Sequence, residues 1–273
     1  MSIVLNGTTQ YAWQTAPFVA RPFSVAAWFK STSDSALQAI WGEAKQSTTL
    51  DFWRLGIRGN AVGDPVGCYV RRAGAANATT STGYTANKWH HALFIEAGSQ
   101  DHRVYIDGGS EGTDTSNDQT PLNVDKMSIG ALAYNNTWVN FFAGKLAEVA
   151  IWNNTILTDQ ERAYLANGVR PSAIRPANLA AYWKLEDDYA DSSGNGNTLT
   201  GVASPTFDGS DHPTIIESAS TGWPDDRPAS YDPNLYWDEE TGAWGSTRVA
   251  IPGAFAEYLV AVGEEGAVYF RGI

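Results

Sequence analysis

The feature that most constrains this chain is a recurrence of short apolar or alternating segments, each closed by glycine, asparagine, serine or threonine. Pro22–Phe29 is apolar on both faces, with Phe23, Val25, Ala27 and Phe29 on one of them. A strand buried on both sides reads this way. Leu50–Ile57 alternates instead, setting Leu50, Phe52, Arg54 and Gly56 against Asp51, Trp53, Leu55 and Ile57. Leu37–Gly42, Val66–Arg72, Trp89–Ala97, Arg103–Ile106, Lys126–Gly130 and Gly144–Trp152 add further strands, and Asp107-Gly108 supplies a tight-turn signal. Many short strands separated by turn residues predict an all-β sandwich or barrel.

One segment reads as a helix. Thr158-Asp159-Gln160-Glu161 has the form of a capping box: the Thr158 hydroxyl accepts from the Glu161 amide, and the Glu161 carboxylate accepts from the Thr158 amide. Gly168 offers a left-handed end and Pro171 prevents continuation. The spacing predicts a short structural helix beside the sheet.

Composition limits what such a sandwich can bind. With 18 basic and 30 acidic residues the net charge is −12, so a nucleic-acid backbone or an anionic lipid surface is repelled. No stretch approaches the ~20 apolar residues of a membrane-spanning helix. The single cysteine, Cys68, rules out an intramolecular disulfide and reads as a small core hydrophobe. Met1–Gly7 lacks the basic and apolar regions of a signal peptide. The expectation is synthesis in the cytoplasm without a classical signal, and location on a virion or another extracellular assembly.

Three segments carry a family likeness. The first is Trp89-His90-His91-Ala92 with Val104-Tyr105-Ile106-Asp107-Gly108. The second runs from Phe142-Ala143-Gly144 through Glu148-Val149-Ala150-Ile151-Trp152 to Ile156-Leu157-Thr158. The third is Leu179–Glu186 followed by Asp191–Asn197. In this order and spacing the chain resembles the concanavalin A-like, laminin-G-like superfamily, which includes the pentraxins. The resemblance implies a two-sheet antiparallel jelly-roll sandwich over residues 1–207, with the late Tyr182-Trp183 segment closing it. It also implies that Trp152 and Trp183 fill the core, and that His90 or His91 makes a buried hydrogen bond.

The chemistry of such a fold is then a matter of loops. Glucanase relatives use a Glu-x-Asp-x-x-Glu strand, whose carboxylates serve as acid and nucleophile. That spacing is missing here: Glu148 stands isolated in its strand, and Glu186 has no partner glutamate at alternate spacing. His90, His91, His102 and His212 form no metal-binding pattern, and there is no Gly-x-Ser-x-Gly elbow. The expectation is a protein that is not an enzyme.

Pentraxins and many laminin-G domains hold ligand through calcium, which requires hard oxygen ligands. The equivalent loop here, Ala131–Asn140, contains no carboxylate. Asp191, Asn195 and Asn197 make a more oxygen-rich turn, open to one calcium ion or to closure as an Asx turn; no cofactor is required. Within the acid-free loop, Tyr134, Asn135, Asn136, Thr137 and Trp138 combine aromatic platforms with amide donors and acceptors, the chemistry that glycans need. These five are the leading ligand-contact residues, and Trp13 and Trp53 are weaker ones.

After Phe207 the texture changes. Residues 208–232 are rich in Asp, Ser and Pro and read as a linker. Residues 233–273 hold two hairpin signals, Leu235–Trp237 with Ala243-Trp244 and Tyr258–Val262 with Ala267–Arg271. Isolated hairpins need a surface to dock on, whether the sandwich, a copy of the chain or another protein of the assembly. The combined expectation is a non-enzymatic binding or adhesion module, with cell-surface glycans or proteins as ligands, displayed on a bacteriophage capsid, tail or fibre. The alternatives are a purely structural virion decoration and a glycoside hydrolase or lyase of the same fold.

Overall fold

The structure, a computed structural model, describes residues 1–15 and 19–216, together with the backbone of four short strands beyond. In chain order the strands up to the middle are β1 (Ser2–Asn6), β2 (Tyr11–Thr15), β3 (Phe23–Ser31), β4 (Leu37–Ala44), β5 (Phe52–Arg58), β6 (Pro65–Arg71), β7 (Ala75–Gly83) and β8 (His90–Gly98). Then come β9 (Asp101–Ile106), β10 (Gly109–Asp114), β11 (Lys126–Ile129), β12 (Leu132–Tyr134), β13 (Thr137–Val139) and β14 (Ala143–Asn153). Helix α1 (Asp159–Ala166) precedes β15 (Leu179–Trp183), β16 (Thr200–Val202) and β17 (Thr206–Asp208).

Two antiparallel sheets face each other. An eight-stranded sheet runs β10-β9-β8-β3-β14-β1-β17, with β15 also paired to β14. A seven-stranded sheet runs β16-β2-β11-β4-β5-β6-β7. This is the jelly-roll sandwich that the strand pattern predicts.

The binary pattern explains the core. On β3, Phe23, Val25, Ala27 and Phe29 are buried between the sheets, and Ser24 and Ala26 are buried on the other face. From the opposite sheet Trp41, Trp53, Leu55 and Ile57 meet them. Phe23 stands edge-on to Trp53 and Phe94, with ring centres 5.6 and 5.5 Å apart, a favoured aromatic geometry. Trp53 is therefore a core residue, which removes it from the glycan-contact candidates.

A second apolar layer covers the outer face of the eight-stranded sheet. Leu93, Ile95, Trp152 and Tyr182 pack there under Leu157 and Leu165 of the α1 region. The capping box is formed at both of its hydrogen bonds. At the other end Gly168, at φ +92°, directs its amide to the Leu165 carbonyl, and the Val169 amide reaches the Tyr164 carbonyl. That pair of bonds is a Schellman ending, which needs the left-handed residue.

Strand β14 changes partner halfway along one edge. Its first half pairs with β1 and its second half with β15. A bulge between Ala147 and Ala150 marks the changeover and holds Glu148 at φ +53°. β15 thus joins the sandwich as the late closing strand. Trp183 is buried between the sheets, whereas Trp152 lies in the outer layer with its Nε1 donating to the Ile174 carbonyl at 2.7 Å.

Met1–Ile215 forms one compact unit, so residues 208–215 of the stretch read as a linker lie within it. Of that stretch, residues 217–232 lie outside the described residues. Beyond it, β18 (Tyr236–Asp238) pairs with β19 (Ala243–Gly245), and β20 (Leu259–Val262) with β21 (Val268–Arg271), each pair antiparallel.

Candidate functional site

The outer face of the seven-stranded sheet gathers several aromatic residues that the inter-sheet core does not use. Alternation puts Trp13 of β2, Lys126 and Ser128 of β11, Phe52 and Arg54 of β5, and Tyr69 and Arg71 of β6 on this face. The β12–β13 hairpin folds back over it. Gly42 of β4 makes the close approach possible: a Cβ there would lie 2.6 Å from Leu132 Cδ1.

The hairpin turn is Asn135-Asn136, with φ of +50° and +60°. Both central residues of a type I′ turn require positive φ, which asparagine tolerates. The Asn135 amide donates to the Thr48 carbonyl at 2.9 Å and the Asn136 amide to the Gln46 carbonyl at 2.8 Å. Backbone bonds thus anchor the turn, while Asn135, Asn136 and Thr137 are exposed.

The two aromatic residues of the hairpin take opposite sides. Half-buried Trp138 stacks on Tyr11 with ring centres 4.3 Å apart and lies 6.4 Å from Trp13. Lys126 Nζ sits 4.4 Å from the centre of the Trp13 ring. On the other side Tyr134 meets Phe52 at 6.1 Å, and Phe52 meets Tyr69 at 5.4 Å. The five predicted contact residues therefore lie on one hairpin, and two aromatic rows flank it.

The Asp191 turn is closed by its own side chains. Asp191 Oδ1 accepts from the amides of Tyr182 and Ser193, and Oδ2 accepts from the amide of Asn197. Asn195 and Asn197 donate their side-chain amides to the carbonyls of Leu179 and Ala180. Burial raises the Asp191 carboxyl pKa, but these amide donors outweigh it and hold the group below the usual range. The arrangement is an Asx turn that ties the closing strand β15 to the loop after it.

Two carboxylate clusters, one buried and one partly buried, escaped the sequence reading, because their members are far apart in the chain. In the first, Arg21 bonds Glu96 and Asp118, and His102 Nδ1 lies 2.7 Å from Glu96. In the second, Glu148 accepts from the Tyr182 hydroxyl and from Arg170, which also bonds Glu186 at 3.0 Å. His212 Nε2 approaches Glu148 to 3.6 Å. Strand spacing had separated Glu148 from Glu186; the β14 bulge and β15 bring both to one guanidinium. Glu148 is 2% exposed, and burial pushes its carboxyl up to about 7 against the pull of Tyr182 and Arg170. A single arginine bonds two carboxylates in each cluster, Arg21 in the first and Arg170 in the second.

Of the two adjacent histidines, His90 makes the hydrogen bonds. Its Nδ1 lies 2.7 Å from Asp107, and its Nε2 accepts from the Thr85 amide. His91 is buried edge-on to Trp28, and burial lowers its pKa to about 4, which keeps the ring neutral.

The chain matches the laminin-G-type family of the concanavalin A-like lectin/glucanases superfamily over residues 5–161, more than half its length. It belongs to that superfamily. No curated protein sequence matches it. Among solved structures it is similar to the heptameric SAP-like pentraxin of Limulus polyphemus, at 17% identity over 74% of this chain and 94% of that one, with a TM-score of 0.52. It is also similar to the CBM40 module of the Ruminococcus gnavus IT-sialidase bound to α2,3-sialyllactose, at 13% identity over 55% and 84% of the two chains, TM-score 0.47. Domain 4 of the Geobacillus stearothermophilus arabinanase AbnA gives 18% identity over 60% and 76%, TM-score 0.49. At 17% identity the likeness to the pentraxin is one of fold.

Proposed function

We propose that this chain is a non-catalytic glycan-binding module carried on a larger assembly such as a bacteriophage virion, as a capsid decoration or a tail or fibre component. The observation that carries the reading is the hairpin on the seven-stranded sheet. It pairs exposed Asn135, Asn136 and Thr137 with the half-buried rings of Tyr134 and Trp138. Aromatic faces accept the C–H faces of sugars, and the polar turn accepts their hydroxyls. The paired strands after residue 235 support the display reading, since isolated hairpins require a partner surface. The non-catalytic reading rests on the carboxylates: Glu148 and Glu186 are both bonded to Arg170, and Glu148 is buried.

Glycan-array binding by the wild type and by Trp138→Ala tests this. The wild type is expected to bind a defined glycan set, and the variant to lose tenfold or more in affinity while its unfolding midpoint stays close to that of the wild type. Binding by neither protein would leave a purely structural decoration protein. Turnover of a polysaccharide, abolished by Glu148→Gln, would establish an enzyme instead.

A further inference from the structure

The outer face of the seven-stranded sheet holds a positive charge that no carboxylate among the described residues neutralises. Arg54 projects from β5 between Gly42 of β4 and Tyr69 of β6. It is 8% exposed, and its guanidinium carbon lies 5.4 Å from the centre of the Tyr69 ring. Its Nε is enclosed without an acceptor. Buried cations are ordinarily paired, and the other enclosed arginines here obey: Arg21 faces Asp118 and Arg170 faces Glu148. Arg54 has no such carboxylate among the described residues, although the chain carries 30 acidic side chains. Burial, together with neighbouring Arg58, lowers its pKa to about 10, so it remains charged at neutral pH.

The surroundings repeat the pattern. Arg58 lies over Gly67, with its Cδ 3.3 Å from where a Cβ would stand. Arg71 shares the face, opposite Phe52 in register. Neither forms an ion pair among the described residues. Beside Arg54 the rings of Tyr69, Phe52 and Tyr134 form a continuous row up to the hairpin. We infer that Arg54, flanked by Arg58 and Arg71, is an anion subsite that takes a carboxylate or sulfate of an acidic polysaccharide lying along this aromatic row. The inference rests on the glycan-binding reading and specifies its ligand class. A planar guanidinium meets either acid through two parallel N–H donors, and the acid supplies the counter-charge that the described residues do not.

The test is affinity electrophoresis of the full chain in gels containing heparin, polygalacturonate or neutral dextran at fixed ionic strength. The wild type is expected to be retarded by an acidic polymer. Retardation by heparin alone assigns sulfate, and retardation by polygalacturonate assigns carboxylate. Arg54→Met is expected to weaken that binding tenfold or more, with an unfolding midpoint equal to or above the wild type's, because removal of an unpaired buried charge relieves its desolvation. Unchanged retardation with a lowered midpoint overturns the subsite and leaves Arg54 a structural residue. Should Arg54→Met fail to fold, the Arg58→Ala/Arg71→Ala double variant gives the decision: weakened retardation supports the subsite, and full retardation overturns it. Binding of array glycans without any response to the acidic polymers ends this inference while the glycan reading stands. Binding to neither ends both.

Discussion

Glu148 has a strained backbone, an enclosed carboxyl and three polar neighbours, and these together set a pH signature. Its φ of +53° is unfavourable for a residue with a Cβ. The bulge that imposes this angle also turns the side chain toward Tyr182 and Arg170. Because burial raises the carboxyl to about 7, the folded protein keeps a proton that the unfolded chain releases above about 4.5. Stability from this group is therefore present at low pH and is lost as pH rises through 7. His212 works in the opposite sense, since burial lowers its pKa, so the effect is best read as a difference. Urea unfolding of the wild type and Glu148→Gln between pH 4.5 and 7.5 is expected to show the variant gaining relative stability with pH, by up to roughly 3 kcal/mol. Parallel profiles would show that Glu148 is ionised throughout. In the sequence Glu148 stands isolated in its strand, because its partners Arg170, Tyr182 and His212 are 22 to 64 positions away and cannot be read from spacing.

At the scale of elements, local chemistry was the most legible. The capping box, the Gly168 ending and the period-two strands depend on residues within a few positions of one another, and each formed where the pattern placed it. Thr158→Ala removes the acceptor for the Glu161 amide and is expected to cost about 1 kcal/mol in urea unfolding. No change would mean that Arg175, which bonds Glu161 at 2.5 Å, fixes the helix start alone. The Asp191 turn carries a second expectation. Its carboxylate oxygens are already engaged by three backbone amides, so EDTA and added calcium should leave the thermal midpoint unchanged. A calcium-dependent rise that Asp191→Asn abolishes would place an ion in the turn. The candidate glycan site was half legible. The composition of residues 134–138 marked the hairpin, but its flanking rows come from β2, β5 and β6, which only the sheet order brings beneath it.

At the scale of the molecule, the decisive contacts join the end of the sandwich to its beginning. The change of texture after Phe207 looks like the start of a linker, because Asp, Ser and Gly are residues of loops. In the structure Asp208 and Asp211 clasp the sheet edge. Lys145 Nζ reaches both, at 2.7 and 2.6 Å, and Lys30 reaches Asp211 at 2.9 Å. The Trp89 indole donates to Asp211 at 2.8 Å, and the Ser2 hydroxyl donates to its backbone carbonyl at 2.7 Å. Burial works against the Asp211 carboxylate, but the two lysines and Trp89 hold its pKa well below the ordinary value, so the clasp is charged across the neutral range. These partners come from β1, β3, β14 and the loop before β8, and so the segment closes the sandwich across its chain order. A chain ending at Ile215 is therefore expected to keep the unfolding midpoint of the full protein. A chain ending at Phe207 leaves Lys30, Lys145 and the Trp89 N–H without these acceptors, and its midpoint should fall by several degrees. Asp211→Ala in the full chain should reproduce part of that fall, and high salt should narrow the gap as it screens the ion pairs. If the two truncations melt together, the clasp contributes nothing and the sandwich is complete at Phe207. If the Ile215 form is itself unstable, the strands after residue 235 belong to the fold rather than to a partner surface, and the display reading loses its main support.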